Sequence, residues 1–114
     1  MDTRELAQAF ATMLREGKDA GKAFWHEDVS SIEAMGEAPA VQGRPAVIAK
    51  GADWYAAHEV HGFEVEGPYM NNDRFALHMH IDITVRATGQ RMQMKEVGLY
   101  TVQDGKIVEE RFFY

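Results

Sequence analysis

The sequence predicts an α+β fold in which helices come first and an antiparallel sheet follows. Near the start, apolar side chains recur at the spacing of one helix face, at Leu6, Phe10, Met13 and Leu14. From residue 60 onward the period changes to two, and residues 75–85 carry the unbroken apolar face typical of a half-buried strand. The 114 residues suffice for one core, so we expect a single domain over residues 1–114.

The first half of the chain can be divided by its caps and turns. Asp2 or Thr3 can cap a first helix that continues to about Glu16, where Gly17 would end it. Pro45 suits the first turn of a later helix. The elements after the first helix are therefore predicted to be a short helical piece or turn, a strand, a loop and a helix, at residues 18–25, 27–35, 36–45 and 45–58.

Four strands are predicted in the second half, beginning near residues 60, 75, 91 and 106. The second and third of them form a hairpin whose register depends on its turn. A two-residue turn at Thr88-Gly89 would place Asp82 opposite Lys95, an opposite-charge pair, and would also match the apolar sets of the two strands. We therefore expect this register.

The register of the last strand depends on the turn at Asp104-Gly105. A three-residue loop there would place Glu110 opposite Gly98 and Phe112 opposite Glu96. Gly98 would then leave space for the Glu110 side chain. A two-residue turn would instead exchange the inner and outer faces of the last strand, so its inward residues depend on the turn type.

Composition narrows the classes of function. The net charge is −6, and Lys and Arg are scattered without a basic run, which argues against nucleic acid or an anionic membrane as a partner. The lack of cysteine in the sequence excludes disulfides, thiolate metal sites and cysteine nucleophiles. The charged N-terminus does not have the apolar core of a signal peptide, and no apolar run has membrane-spanning length. We therefore expect a cytoplasmic protein.

The stretch LHMHIDITV, residues 77–85, allows two interpretations. His78, His80 and Asp82 share one face of the predicted strand, and a zinc or iron site uses ligands of this kind. The alternate residues form a longer apolar face, which is the better candidate for the inner wall of the fold. We therefore expect the polar three on the outer face, and we expect no metal or other cofactor. A metal-dependent enzyme that uses these three residues, or His58 and His61, is the weaker alternative.

Two longer stretches carry a resemblance to a known family. They are KAFWHEDVSSIEAMGEAPAVQGRPAVIA, which contains a strand, a loop and a helix start, and EVGLYTVQDGKIVEERFFY, the closing hairpin. The layout resembles the SnoaL-like polyketide cyclases and ketosteroid isomerases of the nuclear transport factor two-like superfamily. The resemblance implies a cone-shaped, curved antiparallel sheet wrapped around a long helix, a cystatin-like barrel, with a pocket at its open end. It also implies a homodimer through the convex outer face of the sheet.

The resemblance implies roles for particular residues as well. The general-base carboxylate of the isomerases falls on Glu33, whereas their oxyanion-binding tyrosine falls on Phe10 and their second donor, a protonated carboxylic acid, falls on Gly98. A base is therefore kept and both oxyanion donors are missing, which argues against steroid isomerisation itself. The acid–base carboxylate of the cyclases lies on the sheet, where Glu96 and Glu110 are the candidates.

With the apolar strand faces turned inward, we expect a mostly apolar pocket with a few converging polar groups, as small-molecule sites have. The candidate catalytic residues are Glu33, Glu96 and His61, because a histidine beside a carboxylate can exchange protons near neutral pH. Both glutamates also have a structural interpretation, as a solvated strand end for Glu33 and as one half of an ion pair for Glu96. The candidate ligand-binding residues are Phe10, Trp25, Trp54, His58, Phe63, Met79, Met94, Tyr100, Glu110 and Phe112.

Two functions from different classes are compatible with such a pocket. The first is an acid–base enzyme that isomerises, cyclises, dehydrates or hydrolyses a small hydrophobic substrate of the carbonyl type. The second is a non-catalytic ligand-binding or dimeric interaction module of the same fold. An open cavity whose ionisable groups face each other favours the enzyme, and a cavity plugged by aromatic side chains favours the module.

Overall fold

The computed structural model describes residues 1–18, 21–36 and 39–114. Within these residues it contains three helices and six strands: α1 (Thr3–Arg15), α2 (Gly21–Phe24), β1 (Trp25–Ile32), β2 (Ala40–Gln42), α3 (Arg44–Ala57), β3 (His58–Asn71), β4 (Arg74–Val85), β5 (Gln90–Gln103) and β6 (Lys106–Phe113). The predicted α+β class is confirmed, and the short strand β2 lies where a loop was expected. Residues 19–20 of the predicted helical piece and residues 37–38 of the predicted loop lie outside the described residues. No helix in the described part of the chain is long and apolar enough to cross a membrane.

The six strands form one curved, open sheet in the order β2-β1-β6-β5-β4-β3. Four of its five strand pairs are antiparallel, and the β1–β6 pair is parallel. The prediction of a wholly antiparallel sheet is therefore wrong at this pair. The reason is the long connection between β1 and β6, which contains α3 and the β3–β4–β5 meander. This connection allows β6 to lie beside β1 and run in the same direction.

Helix α1 covers the inner face of this sheet. It begins with a reciprocal capping box, in which the Asp2 side chain accepts from the backbone of Glu5 and the Glu5 side chain accepts from the backbone of Asp2. Its buried face carries Phe10, whose ring centre lies 4.9 Å from that of Tyr100 and 5.6 Å from that of Trp25. At its end, Arg15 donates to the backbone carbonyls of β3. The apolar stripe and the side-chain anchor together hold α1 across the sheet.

Strand β4 keeps strict alternation along its length. The inward residues are nearly inaccessible to solvent, and they are Phe75, Leu77, Met79, Ile81 and Ile83. Burial of each such side chain contributes about 1.5–3 kcal/mol, so their combined burial strongly opposes any arrangement that turns this face outward. His78, His80 and Asp82 therefore lie on the outer face, as the sequence predicts.

The pairing of β4 with β5 differs from the predicted register by two residues. Asp82 lies opposite Gln93 rather than Lys95, because the turn spans residues 86–89 and not two residues. The carboxylate of Asp82 pairs instead with the guanidinium of Arg91, at 2.8 Å. A shift by an even number exchanges partners but preserves faces, so the apolar set of β5 still points inward.

The pairing of β5 with β6 corrects the predicted loop. Asp104 and Gly105 both have positive φ, 55° and 73°, and form a tight two-residue turn. A β-bulge follows, in which Val108 is the extra residue between two paired positions of β6. The tight turn alone would point Glu110 outward, and the bulge turns it inward again. Glu110 therefore lies opposite Tyr100, not opposite Gly98 as predicted.

Gly98 makes room for an aromatic ring rather than for Glu110. A Cβ atom at this position would lie 2.6 Å from the hydroxyl oxygen of Tyr100 and 2.7 Å from a ring carbon. Real Cβ atoms do not approach other atoms so closely. The Tyr100 ring, which is stacked on Phe75 at 4.9 Å, therefore depends on the missing side chain for its position.

We expect Gly98→Ala to destabilise the protein by about 1–3 kcal/mol, because the new methyl group overpacks a ring that is already fixed by its neighbours. The matched control is Gly62→Ala, where the nearest atom to the new Cβ is 4.0 Å away and the backbone needs no positive φ. Urea unfolding of both variants measures the difference. Equal midpoints for the two variants would contradict this packing argument.

Candidate functional site

A cavity of about 550 Å³ lies between helices α1 and α3 and the inner face of the sheet. Most of its lining is aromatic or aliphatic, with a small set of charged groups on one side. The lining residues are Phe10, Leu14, Trp25, Glu33, Val47, Lys50, Gly51, Asp53, Trp54, Tyr55, Phe63, Met79, Ile81, Met94, Glu96, Tyr100, Glu110, Phe112 and Tyr114. A mostly apolar cavity of this size, with a few polar groups, is the usual form of a small-molecule site.

The structure brings most of the sequence-predicted site residues to this cavity. Two of the three candidate catalytic residues, Glu33 and Glu96, lie in its wall. All candidate ligand-binding residues except His58 also line it. Their roles in catalysis or binding stay predictions, since a position in the wall does not show what the wall binds.

His61 lies outside the cavity, which corrects its predicted position. It is the extra residue of a β-bulge between Val60 and Gly62, and the bulge interrupts the alternation that would have turned it inward. Its Nε2 atom lies 2.7 Å from Oγ1 of Thr84 on the outer face, and the side chain is exposed. His61 therefore cannot assist a carboxylate within the cavity.

His58 also lies beside the cavity rather than in its wall. Its ring is stacked on Trp54, with 4.7 Å between ring centres, and its Nδ1 atom lies 2.7 Å from the Trp54 carbonyl oxygen. It thus supports the end of α3 and holds the indole ring of Trp54, which does line the cavity.

Lys50 of α3 organises the charged side of the cavity. Its Nζ atom lies 2.7 Å from Oε1 of Glu33 and donates to Oγ of Ser31, also over 2.7 Å. Ser31 in turn donates to Oε2 of Glu110 over 2.6 Å. On the other side, the Tyr114 hydroxyl donates to Oε2 of Glu33 over 3.0 Å. We call these five residues the Lys50 network.

Glu96 shares the cavity with the Lys50 network but is not bonded to it. Among the described residues, Glu96 has no hydrogen-bond or ion-pair partner. Burial raises the pKa of Glu96 to about 7, and repulsion from Glu33 adds to the rise while Lys50 opposes it. An unpartnered carboxyl group that titrates near neutrality can either donate or accept a proton at a bound molecule.

Glu110 is buried more deeply than Glu96. Burial raises the pKa of Glu110 to about 7 against the Ser31 hydrogen bond and the Lys50 ammonium, which both lower it, and repulsion from Glu33 and Glu96 raises it. The cavity therefore holds two carboxyl groups with pKa values near 7, one free and one bonded. Groups poised near working pH cluster at catalytic sites more often than elsewhere.

Sequence reasoning missed Lys50 and Ser31, although both have a signal. Val47, Lys50 and Trp54 fall at i, i+3 and i+7 on α3, which is the spacing of one helix face. A lysine on an otherwise apolar face indicates a buried acidic partner. Ser31 lies between Val29 and Glu33 at the strand period of two and is fully buried, so it belongs to the inward set of β1.

The outer face of β4 has its own side-chain contacts with β3. His78 Nδ1 lies 3.5 Å from Glu66 and His80 Nδ1 lies 3.7 Å from Glu64, and both histidines pair across to β3. In the part of the chain that the structure describes, no group of three or more His, Asp and Glu residues is placed to hold a metal ion. The metal interpretation of His78, His80 and Asp82 gains no support from this geometry.

A family model for the SnoaL-like domain matches residues 1–114, the whole of this sequence. The chain belongs to the SnoaL-like family. The resemblance that the closing hairpin and the strand–loop–helix stretch suggested is therefore confirmed, together with the α+β fold and its curved sheet. No curated protein matches this SnoaL-like chain at a significant level.

Solved structures agree with this assignment. A proposed SnoaL-like polyketide cyclase from Mesorhizobium loti, also described as a carbohydrate phosphatase, is 46% identical, with complete coverage of both chains and a TM-score of 0.93. A proposed SnoaL-like polyketide cyclase from Jannaschia sp. CCS1 is 19% identical, with 97% of this chain and 83% of that chain covered and a TM-score of 0.79. A protein of unknown function with a cystatin-like fold from Xanthomonas campestris is 19% identical, with 99% and 90% covered and a TM-score of 0.81. The last two similarities show the fold alone.

We expect the free energy of unfolding to fall as the pH rises from about 5 to about 8. Glu96 and Glu110 should each contribute up to about 3 kcal/mol to this fall. The folded pKa of each, about 7, lies above the ordinary value of 4.5, so the folded state binds more protons than the unfolded state between these values. Glu110→Gln should remove its share of this pH dependence, as measured by urea unfolding at both pH values. Glu27→Gln, at an exposed position, is the control. If the free energy of unfolding changed with pH in Glu110→Gln as it does in wild type, the raised pKa of Glu110 would be contradicted.

Proposed function

We propose that this SnoaL-like protein is an acid–base enzyme that moves a proton on a small, hydrophobic substrate of the carbonyl type. The observation that carries the proposal is Glu96, an unpartnered carboxyl group with a pKa of about 7 in the wall of an apolar cavity of about 550 Å³. Such a group is available to a ligand, whereas Glu33 and Glu110 are held by the Lys50 network. Its pKa suits a general base that works near neutral pH.

In the proposed reaction, the Glu96 carboxylate takes a proton from the carbon next to the substrate carbonyl. Negative charge then develops on the carbonyl oxygen, and the Lys50 ammonium in the same wall is the group of opposite sign that can stabilise it. Lys50 would thereby replace the two oxyanion donors whose positions are occupied by Phe10 and Gly98. Return of the proton from Glu96 to a second carbon completes an isomerisation. In a cyclisation, the carbanion attacks a second carbonyl carbon of the substrate, the π bond of that carbonyl breaks, and its oxygen takes the proton back from Glu96.

The charges of the cavity support an uncharged substrate. Its lining holds one lysine and four carboxyl groups, those of Glu33, Asp53, Glu96 and Glu110. An anionic substrate such as a phosphate ester would meet net repulsion there, so a phosphatase activity fits this lining less well. The names of the two polyketide cyclases among the similar structures support cyclisation, although one of them also carries the name of a carbohydrate phosphatase.

A non-catalytic ligand-binding module is the second candidate. It is favoured by the loss of both oxyanion donors at Phe10 and Gly98, which leaves Lys50 as a substitute of different geometry. A cavity that binds a hydrophobic molecule needs the apolar lining but not Glu96. The two candidates therefore differ in the effect of a Glu96 substitution. It would abolish turnover in an enzyme, and it would leave ligand binding by a non-catalytic module unchanged.

We also propose a cytoplasmic homodimer that forms through the outer face of the sheet. Val97 and Phe113 are cross-strand partners on that face, and they are 37% and 50% exposed. Large apolar side chains exposed next to each other on a sheet support a protein partner.

Glu96→Gln should lower the rate of proton transfer by about 10²–10⁴, because the amide keeps the shape of the side chain but cannot accept the proton. Incorporation of deuterium from D₂O next to the carbonyl of a panel of small cyclic ketones, followed by NMR, measures proton transfer without knowledge of the product. Glu64→Gln on the outer face is the matched control. Equal deuterium incorporation in wild type and Glu96→Gln would exclude Glu96 as the base.

The proposed dimer predicts twice the chain mass of 12.9 kDa in solution. Val97→Asp should shift the protein to the monomer, because it places an unpaired charge in the centre of the proposed interface. Asn72→Asp, in the exposed β3–β4 turn, is a control of the same added charge. Light scattering after size-exclusion chromatography measures both variants, and a dimeric Val97→Asp would place the interface elsewhere.

A further inference from the structure

The Lys50 network forms a chain of short hydrogen bonds from the exposed Tyr114 to the buried Glu110. Tyr114 Oη donates to Glu33 Oε2 over 3.0 Å, and Lys50 Nζ lies 2.7 Å from Glu33 Oε1. Lys50 Nζ donates to Ser31 Oγ over 2.7 Å, and Ser31 Oγ donates to Glu110 Oε2 over 2.6 Å. All four links have hydrogen-bond lengths, so the chain is continuous.

Exposure to solvent falls along this chain. Tyr114 is 51% exposed, and the side chains of Glu33 and Lys50 are 28% and 26% exposed. At the other end, Ser31 is 0% and Glu110 is 7% exposed. Glu110 also borders the cavity, but an apolar ligand there would exclude water from that side. The hydrogen bond from Ser31 would then be its remaining connection to solvent.

Glu110 has a proton to exchange near neutral pH. Its pKa of about 7 results from burial, which Ser31 and Lys50 oppose and Glu33 and Glu96 strengthen. Tyr100 also faces Glu110, as its cross-strand partner on β5. Tyr100 stays neutral at this pH, because burial raises its own pKa well above the ordinary value. Lys50 is the cation among these groups, and it is bonded both to the half-buried Glu33 and to Ser31.

We propose that this chain is a proton relay that exchanges protons between solvent and Glu110 through Lys50 and Ser31. In the inward direction, Ser31 gives its hydroxyl proton to the Glu110 carboxylate and takes a proton from the Lys50 ammonium. The neutral Lys50 amine then takes a proton that Glu33 has received from water. Each O–H or N–H bond that breaks is replaced by one that forms, so a single proton is moved and no further reactant is consumed.

The relay deepens the proposed function and rests on it for its use. While a ligand fills the cavity, the relay would return Glu110 to its starting protonation state without opening the site. Glu96 has no bond to the chain, so it would exchange its proton with the substrate while Glu110 exchanges with solvent. The two carboxyl groups with similar pKa values would thereby have separate proton partners.

Two substitutions distinguish a relay from simple electrostatic support. Lys50→Arg keeps the positive charge and the hydrogen-bond donors, but an arginine in a protein does not release its proton. If Lys50 only supplies a positive charge, Glu110 should still be protonated at the wild-type rate in Lys50→Arg. If Lys50 passes on a proton, this rate should fall. Ser31→Ala removes the link next to Glu110, and Ser31→Thr is the matched control because it keeps the hydroxyl group.

Protonation of Glu110 can be timed in the protein saturated with cyclohexane, an apolar probe without a carbonyl group that keeps water out of the cavity. A laser flash releases protons from a caged compound near pH 7, and the infrared C=O band that Glu110→Gln lacks reports when Glu110 becomes protonated. We expect the rate constant to fall by about a hundredfold in Lys50→Arg and in Ser31→Ala, the usual contribution of one positioned proton-transfer group, and to stay near wild type in Ser31→Thr.

Circular dichroism establishes that each variant is folded. A wild-type rate in folded Lys50→Arg or in folded Ser31→Ala overturns the relay. Since no substrate is used, this result is independent of the deuterium exchange of Glu96→Gln, and the relay and the enzymatic function can fail separately.

Discussion

The charge of Lys50 is the constraint on which the polar side of the cavity depends. Lys50 is the one cation among the described residues that line the cavity. It holds Glu33 directly and Glu110 through Ser31, and so compensates two carboxyl groups that would otherwise repel each other away from water. In this arrangement Glu96 has no hydrogen-bond or ion-pair partner among the described residues. The chemistry proposed for the protein follows from that imbalance, because one carboxyl group near the ligand has no partner of its own.

Much of the fold could be predicted because burial on a sheet has a period of two. The apolar alternation of β4 placed Leu77 and its neighbours inward and His78 outward, as the structure confirms. The predicted register at Asp82 was wrong by two residues. Because this shift is even, the inward and outward faces of the strands were still predicted correctly. Helix α3 was placed within one residue of its observed ends from Pro45 and the change of period after it.

The positions that could not be predicted are those where alternation is interrupted or where partners come from distant elements. His61 is a bulge residue, and the neighbouring Gly62 is a local signal of that bulge, since a glycine inside a strand often marks one. Glu110 was expected inward for the wrong reason, through a longer loop instead of a tight turn and a bulge. The contacts of Lys50 join α3 to β1 and, through Ser31, to β6. These contacts depend on the parallel pairing of β1 with β6, which the sequence pattern does not reveal.

The bulge at Val108 makes the length of the closing hairpin a matter of parity. Adding or removing two residues beyond the bulge would preserve the inner and outer rows and change which residues of β6 meet those of its two neighbours, β5 and β1. Adding or removing one would exchange the inner and outer rows of the strand, bringing Arg111 and Phe113 into the cavity and expelling Glu110 and Phe112. A change of one residue would therefore put Arg111 in the cavity wall in place of Glu110, whereas a change of two would keep the faces of the strand but move Glu110 along it, away from Ser31.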